Sequence, residues 1–378
     1  MPDVLVVNAG SSSMKYAIID VASGQHRFTG IQERIGEADA ACPDHRAAFT
    51  MLSHALARRG LLPDLVGHRV VHGGSYFTQP AVIDDDVVAA IEACVPLAPL
   101  HNPAALAGIE AARSVFPELT QVAVFDTAFH TTIPEAAHRY AIDPVVAADH
   151  RLRRYGFHGT SHEYVSHRAA ALLGRAPAQV NVVSLHLGNG ASACAVRGGV
   201  SVETSMGVTP LEGLVMGTRS GDVDPAIPLI LSRAGWATAD IDTLLNRRSG
   251  LKAVCGDNDM RAINARAAAG DADADLAREM FAHRLRKYLG AYLAVLGRVD
   301  AVVFTAGIGE HDAWVRERVC SDLEALGIEI DHTANWAQVP GERSISVPGT
   351  RIDVMVVPTD EEHAIAEQSW RVVSASRL

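Results

Sequence analysis

Residues 4–19 read VLVVNAGSSSMKYAII, and residues 182–196 read VVSLHLGNGASACAV. In each stretch a turn of glycine and small polar residues separates two apolar runs, which predicts two strands joined by a tight turn. Glycine lets backbone N–H groups approach an anion closely, and serine hydroxyls add donors. One such turn alone is typical of an ordinary hairpin. Two matched turns, half a chain apart, favour a duplicated unit with one phosphate-binding turn in each half.

Neither turn matches a common nucleotide-binding loop. The segment from Gly10 to Lys15 lacks the G-x-x-x-x-G-K-[ST] pattern, and no strand–G-x-G-x-x-G–helix unit occurs in the sequence. We therefore expect that a nucleotide, if one binds, is held by the hairpin turns themselves.

The composition indicates a two-domain protein with real hydrophobic cores, since 48% of the 378 residues are hydrophobic. The sequence contains no apolar run of about 18 residues and no signal peptide, so we expect neither a membrane span nor secretion. The five cysteines are far apart and form no C-x-x-C pair, which predicts a reduced cytoplasmic protein without zinc or disulfides. The net charge of −11 argues against nucleic acid as a partner.

Strands and helices alternate in both halves, which predicts the α/β class. Hydrophobic periodicity places strands at 65–71, 121–125, 301–304 and 351–357, and helices at 84–95, 104–115, 276–296 and from about 360 onward. Thr160 and Glu163 have capping-box spacing at the start of a further helix that reaches residue 173. Residues 24–46 are predicted to be irregular surface chain. Residues 205–224 are rich in glycine and polar side chains and resemble an active-site loop.

Four loops place a charged or titratable side chain next to glycine or another small residue: residues 69–74, 125–127, 155–160 and 216–222. Such residues supply what phosphoryl transfer needs, because the protein mainly positions the reactants and neutralises anionic charge. Arg69 and Arg219 can hold anionic oxygens bidentately, and His158 and His186 can donate hydrogen bonds to the phosphoryl group.

The same reasoning covers the metal and the nucleotide. Asn8, Asp126 and Glu361 offer oxygen atoms as ligands or anchors for Mg²⁺, and the glycines of residues 307–310 let the backbone approach a base or ribose. Each feature also has an ordinary structural interpretation. Arg69 could be a surface charge at a strand end, His158 a turn histidine, and residues 307–310 a plain strand–helix connection.

Nine segments resemble one family, the acetate kinases, in the short-chain carboxylate kinase branch of the actin-like superfamily. In family order they are VNAGSSSMKY (7–16), HRVVHGG (68–74), PLHNP (99–103), VFDTAFH (124–130), RRYGFHGTSHEYV (153–165), HLGNGAS (186–192), TSMGVTPLEGLVMGTRSGDVDP (204–225), FTAGIGEH (304–311) and TDEE (359–362). The resemblance covers nearly the whole chain, and the 22-residue segment is its most specific part.

The resemblance implies an α/β fold of two related actin-like, ribonuclease H-like domains with a central cleft that closes on the substrates. Residues 1–130 with 362–378 would form the N-terminal domain. Residues 131–361 would form the C-terminal domain, with the nucleotide site and a dimer face. The implied reaction is reversible, direct phosphoryl transfer from ATP to acetate, giving ADP and acetyl phosphate. It implies Mg²⁺, or alternatively Mn²⁺, and a homodimer.

The resemblance also implies a role for each matching residue. The catalytic set would be Arg69, Asp126, His158 and Arg219. The acceptor site would be formed by Arg69 with an apolar pocket of Val71, Leu100, Phe157 and Pro210. Nucleotide and phosphate would contact Ser11, Ser13, Lys15, His186, Asn189, Gly190, Asp259, Arg261, Gly307, Ile308 and His311, and the metal would contact Asn8 and Glu361. Position 311 is histidine where the family often has asparagine, so it bears on nucleotide preference.

Asp126 is expected to orient a partner and not to abstract a proton. The acceptor substrate is a carboxylic acid with a pKa of about 4–5, so it is already ionised at pH 7 and needs no general base.

The nearest alternative is a propionate kinase of the same family. An actin-like nucleotide-binding regulator and a phosphate-releasing hydrolase are the alternatives from other classes. Arg69, Arg219 and the apolar pocket argue against a regulator, which does not need them.

Overall fold

The apolar run at residues 4–7 forms the first strand of a six-stranded sheet in the computed structural model, which describes residues 2–37 and 42–375. The strands of this first sheet are β1 (Asp3–Ala9), β2 (Ser13–Asp20), β3 (His26–Glu33), β4 (Leu65–Val70), β5 (Ala81–Val82) and β6 (Thr120–Phe125). They are arranged in the order β3-β2-β1-β4-β6-β5. β1 pairs antiparallel with β2 and parallel with β4, and β4 pairs parallel with β6.

A second sheet repeats this topology. Its strands are β7 (Asn181–Leu187), β8 (Ala191–Arg197), β9 (Val200–Thr204), β10 (Ala301–Thr305), β11 (Arg343–Ser344) and β12 (Asp353–Val356). The order is β11-β12-β10-β7-β8-β9. β7 pairs antiparallel with β8 and parallel with β10, and β10 pairs parallel with β12. The two predicted hairpins thus hold equivalent places in two sheets, which confirms the expected duplicated α/β fold.

The helices are α1 (His45–Ala57), α2 (Asp85–Glu92), α3 (Asn102–Val115), α4 (Glu135–His138), α5 (Pro144–Asp149), α6 (Gly159–Leu172), α7 (Ala226–Arg233), α8 (Thr238–Arg247), α9 (Gly250–Cys255), α10 (Met260–Ala268), α11 (Ala272–Leu296), α12 (Ala306–His311), α13 (Ala313–Cys320), α14 (His332–Trp336) and α15 (Glu361–Ala375). No helix within residues 2–37 and 42–375 is both long and apolar enough to cross a lipid bilayer.

The chain divides into two units, one of Met1–Thr131 with Asp360–Leu378 and one of Thr132–Thr359. In the first unit, side chains of β1 alternate between the two faces of the sheet. Leu5 and Val7 are buried in one cluster with residues of α1 and α3. Val4 and Val6 are buried in another with residues of α15. Helices therefore cover both faces of this sheet, as a sheet with a parallel centre requires.

Two local predictions are wrong, and one alternative structural interpretation is excluded. Residues 24–46 are not irregular throughout, because His26–Glu33 forms β3; residues 38–41 of this segment lie outside the described residues. Thr160 and Glu163 do not form a capping box, because α6 begins at Gly159 and no side chain caps it. Residues 307–310 are not a plain connection but the body of α12.

A buried histidine in the first sheet should make folding sensitive to acid. His68 on β4 is 3% exposed, and its Nε2 lies 2.6 Å from Gln121 Oε1 on β6. Burial lowers the pKa of His68 from 6.5 to about 4, against the opposing effect of the Gln121 hydrogen bond. The unfolded chain therefore binds more protons between these two values, and the stability present above about pH 6.5 is lost as the pH falls toward 4.

We expect the wild-type protein to lose about 2 kcal/mol more unfolding free energy between pH 7 and pH 5 than the double variant His68→Leu/Gln121→Leu. The double variant removes the titrating ring and its amide partner together, so neither side chain of this pair is left buried without the other. Urea unfolding at both pH values measures the difference. Equal losses in the two proteins would show that His68 does not contribute to acid sensitivity.

Candidate active site

Arg69 and Asp126 form a tight ion pair at one edge of the first sheet. Arg69 lies near the end of β4 and Asp126 directly follows β6, its parallel neighbour. Arg69 donates from Nε to Asp126 Oδ1 at 3.0 Å and from Nη2 to Oδ2 at 2.7 Å. Asp126 is 2% exposed. Burial opposes the charge of Arg69, but the Asp126 and Glu361 carboxylates outweigh it and raise the pKa of this guanidinium.

Acidic residues at the start of α15 lie against the cations of the same unit. Glu361 Oε2 is 3.8 Å from Arg69 Nε, and Glu362 Oε1 is 2.8 Å from Lys15 Nζ. Lys15 in turn pairs across the first hairpin with Asn8. The structure therefore connects Lys15 and Arg69 of the predicted site with the N-terminus of α15.

The turn of the first hairpin is open to solvent at its tip. Gly10 N donates to Ser13 O at 2.7 Å and closes the turn. Ser11 is exposed, and Asn8 and Ser13 are half-buried. These side chains are accessible to a ligand, as a phosphate-binding turn requires.

The loop after β4 is held by two residues that the sequence alone did not single out. Asn102 accepts from His72 N at 3.2 Å and donates to His72 O at 2.9 Å. Thr127 Oγ1 accepts from Gly73 N at 3.0 Å. The PLHNP segment and the residue after Asp126 therefore fix the HGG loop. In the sequence, the signal for Asn102 and Thr127 was their position within the segments 99–103 and 124–130, which resemble the acetate kinases.

In the second unit, Gly190, Arg219 and His158 lie together. A methyl group at Gly190 would lie 3.5 Å from Arg219 Nη1 and 3.7 Å from His158 Nε2. The second predicted phosphate turn thus faces one guanidinium and one imidazole edge. This is the arrangement that a phosphoryl group needs, because both side chains can donate hydrogen bonds to its oxygens.

Arg219 is half-buried, and within the described part of the chain it has no carboxylate partner. Its Nη1 donates to Pro210 O at 3.1 Å, and burial lowers its pKa. The turn that carries it packs on the start of α9, where Leu251 N donates to Met216 O at 2.9 Å. A half-buried cation that no carboxylate neutralises has a high affinity for anions.

His158 occupies the left-handed region with φ of 55°, just before α6. Its ring stacks on that of His186, with centroids 4.2 Å apart and an interplanar angle of 18°. His158 Nδ1 lies 2.9 Å from Ser192 Oγ, and His186 Nδ1 lies 2.8 Å from Ser161 Oγ. Both rings are therefore held through Nδ1 by serine hydroxyls.

A cavity of about 840 Å³ in the second unit collects most of the predicted nucleotide residues. Asn189, Asp259, Arg261, Gly307, Ile308 and His311 line it. Hydrogen bonds from Arg261 lower the pKa of Asp259 to about 2, so this pair is ionised at neutral pH. The volume suits a nucleoside and part of its phosphate chain.

The same cavity has walls that the sequence analysis missed. Trp314 and Trp336 line it, and the guanidinium of Arg278 lies 4.1 Å from the Trp314 ring centre. Asn258 also lines it and donates from Nδ2 to Asn189 Oδ1 at 2.9 Å. In the sequence, none of these side chains carries a signal that distinguishes a cavity wall from an ordinary structural residue.

The four residues expected around the acceptor methyl group belong to both units. In the first unit Val71 is half-buried and Leu100 is 51% exposed. In the second unit Phe157 is buried and Pro210 is half-buried. Pro210 lies directly against another predicted site residue, because its carbonyl oxygen accepts a hydrogen bond from Arg219 Nη1.

Comparison with protein-family models gives a match to the Acetokinase family over residues 3–367. The chain belongs to this family. An acetate kinase of Streptomyces coelicolor is 56% identical over 99% of this chain and 97% of its own.

Solved structures of the acetokinase type share the fold. The crystal structure of Porphyromonas gingivalis acetate kinase has a TM-score of 0.94 and 41% identity, covering 99% of this chain and all of that one. A propionate kinase from Francisella tularensis has a TM-score of 0.92 and 43% identity, covering 97% of this chain and 99% of its own.

In this acetokinase chain the 205–224 loop is fastened by two polar clusters. Arg154 donates from Nη2 to Glu212 Oε1 at 2.6 Å, and Tyr140 donates to Glu212 Oε2 at 2.5 Å. On the other side Tyr288 of α11 donates to Asp222 Oδ2 at 2.9 Å. These contacts hold the loop that presents Pro210 and Arg219.

Proposed function

We propose that this protein transfers the γ-phosphoryl group of ATP to acetate, giving ADP and acetyl phosphate, and catalyses the reverse reaction. One observation carries the proposal. Gly188 and Asn189 line the nucleotide-sized cavity, while the next residue, Gly190, faces Arg219 and His158. A single phosphate turn thus connects a nucleotide site with donors for the moving group, and phosphotransfer to a carboxylate agrees with the family.

In this reaction an acetate oxygen attacks the γ-phosphorus, and the bond from that phosphorus to the β,γ-bridging oxygen breaks. The electron pair of that bond leaves on ADP. No general base is needed, because acetate is already ionised at neutral pH. Asp126 accordingly binds Arg69 bidentately and orients it. Arg69 and Arg219 neutralise the anionic reactants, and His158 and His186 donate hydrogen bonds to the phosphoryl oxygens.

We propose Asn8 and Glu361 as the residues on the metal side, with Mg²⁺ as the ion and Mn²⁺ as an alternative. Within the described residues no group of three or more histidine, cysteine or acidic side chains could hold a metal. The amide oxygen of Asn8 and the carboxylate of Glu361 fit an ion that keeps several waters and binds mainly substrate phosphates, as Mg²⁺ does. The bound ion would supply charge neutralisation at the phosphates.

The decisive experiment incubates the purified protein with ATP, acetate and Mg²⁺ and follows acetyl phosphate as its hydroxamate together with ADP. We expect equal amounts of both products, and none without the metal. Faster turnover of propionate than acetate would assign the protein to the propionate kinases. Free phosphate without acetyl phosphate would indicate a hydrolase, and nucleotide binding without turnover would indicate a regulator.

We further propose that Val71 limits acceptor size. It lies two residues after Arg69, which we place at the carboxylate, and its side chain is half-buried. Val71→Ala should raise kcat/KM for propionate relative to acetate by about tenfold, since one methylene is worth about 1–3 kcal/mol in such a pocket. Initial rates with both acids measure this ratio. Val70→Ala, at the buried last residue of β4 directly before Val71, is the control, and an unchanged ratio in Val71→Ala would remove the assignment.

We also propose a cytoplasmic homodimer. All five cysteines are buried thiols, which suits a reducing compartment. A second copy would cover the apolar surface of α7 and the residues after it, where Leu229 and Ile230 are 56% and 57% exposed and Trp236 is 38% exposed. A monomer mass by light scattering would contradict the dimer.

A further inference from the structure

Behind His158 lies a buried row of hydroxyl and imidazole groups that the reaction described above does not use. Ser184 Oγ lies 2.6 Å from His162 Nδ1, and Ser192 Oγ lies 2.7 Å from His162 Nε2. Ser192 Oγ is also 2.9 Å from His158 Nδ1. Ser184, His162 and Ser192 are fully buried. The four side chains form one continuous row of hydrogen bonds that ends at His158.

Secondary structure explains why these side chains meet. His158 and His162 are four residues apart at the start of α6, and side chains at this spacing lie on one face of a helix. Ser184 and His186 are two residues apart on β7, and Ser192 on β8 pairs directly with His186. Their side chains therefore share one face of the second sheet. The row is the contact between that helix face and that sheet face.

Proton counting allows two arrangements of the row when both rings are neutral. In the first, Ser184 donates to His162 Nδ1, His162 donates from Nε2 to Ser192, and Ser192 donates to His158 Nδ1. His158 then carries its proton on Nε2. In the second, every hydrogen bond is reversed and His158 carries its proton on Nδ1. Each hydroxyl has a single proton and each neutral ring has a single N–H, so the four groups must switch together.

The surroundings of His158 favour the first arrangement. Its Nε2 edge faces the space over Gly190, beside Arg219 Nη1. A phosphoryl oxygen there can only accept a hydrogen bond, so it requires a proton on Nε2. Doubly protonated His158 would place a positive charge against the Arg219 guanidinium, and its ring already stacks on His186 at 4.2 Å. A neutral donor avoids that repulsion.

We propose that Ser192 and His162 are positioning residues, which hold His158 in the neutral form that carries its proton on Nε2 and donates to the phosphoryl group. This inference rests on the proposed function and assigns roles to residues that the reaction itself does not need. His158 neither gains nor loses a proton during transfer. The row sets which of its nitrogens donates.

Ser192→Ala removes the hydroxyl that donates to His158 Nδ1. We expect kcat to fall about tenfold or more while the KM values for acetate and ATP change less than about threefold, because the lost effect concerns the transferring group. Ser201→Ala, an equally buried serine of the neighbouring strand β9, is the matched control and should retain its kcat. Equal kcat values in the two variants would overturn the proposal.

A second pair of variants separates the loss of a hydrogen-bond donor from a folding defect. His162→Gln keeps an N–H donor near the place of Nε2, whereas His162→Leu has similar size and none. We expect the glutamine variant to retain several times the kcat of the leucine variant. If both have the same kcat while unfolding at the same temperature, donation to Ser192 has no role.

Nitrogen-15 spectra of the imidazole rings test the protonation state without turnover. With Mg²⁺, acetate and a β,γ-imido analogue of ATP, we expect a proton on His158 Nε2 and none on Nδ1 in the wild-type protein, and a mixture of both neutral forms in Ser192→Ala. A proton on Nδ1, alone or together with Nε2, would overturn the inference. Failure of wild-type protein to form acetyl phosphate would refute the proposed function instead, because the spectra do not depend on turnover.

Discussion

Arg219→Ala should lower kcat/KM for acetate phosphorylation by two or more orders of magnitude, about 3 kcal/mol or more of transition-state stabilisation. Its guanidinium is half-buried beside Gly190 and His158 and has no carboxylate partner within residues 2–37 and 42–375. Folding should hardly suffer, because no buried carboxylate loses its counter-charge. We therefore expect a thermal midpoint close to that of the wild-type protein and a severe loss of activity.

Arg219→Lys should recover little of this loss. An ammonium is a point charge without the planar fork that holds two oxygens of one group, so it cannot donate to Pro210 and to a phosphoryl oxygen in the same geometry. Arg247→Ala, an exposed arginine of the same unit, controls for a general effect of charge. Near-normal turnover of Arg219→Ala, or full activity of Arg219→Lys, would show that the guanidinium does not act on the reactants.

The fold was readable from the sequence where local chemistry determines structure. Both hairpins follow from glycine-rich turns between apolar runs, and their positions in the chain indicate the duplication. β3 was missed because the sequence HRFTGIQE has no strict apolar alternation. As the outer strand of its sheet it buries little, so its pairing with β2 decides its conformation. The start of α6 was misjudged because His158, in a left-handed conformation, precedes it without a side-chain cap.

The candidate site was predictable in its parts but not in its groupings. Arg219 and His158 were each selected from a loop motif, yet their meeting at Gly190 depends on how α6 and the 205–224 loop pack on the second hairpin. Ser184 and Ser192 were not selected, because a serine in a strand carries no signal until its neighbour across the sheet is known. Trp314 and Trp336 likewise resemble ordinary core residues until the cavity between their helices is seen.

Arg69→Ala should damage both activity and folding, in contrast to Arg219→Ala. The substitution leaves Asp126, 2% exposed, without the two hydrogen bonds at 3.0 and 2.7 Å that now neutralise it. Removing one partner of a buried pair costs about 3–5 kcal/mol of stability. Activity should fall at least a hundredfold, about 3 kcal/mol or more, because the guanidinium that we place at the acceptor carboxylate is gone.

The double variant Arg69→Met/Asp126→Leu separates these two effects. Replacing a buried ion pair by apolar side chains of similar volume is often neutral for folding, so the double variant should unfold within about 1 kcal/mol of the wild-type protein. It should still lack acetate kinase activity, because methionine cannot bind a carboxylate. Urea unfolding and acetyl phosphate formation measure the two outcomes on the same preparations. If the double variant recovers activity together with stability, Arg69 serves the fold alone. If it recovers stability and remains inactive, the ion pair has a second purpose: Asp126 holds the Arg69 guanidinium ready for an anionic substrate.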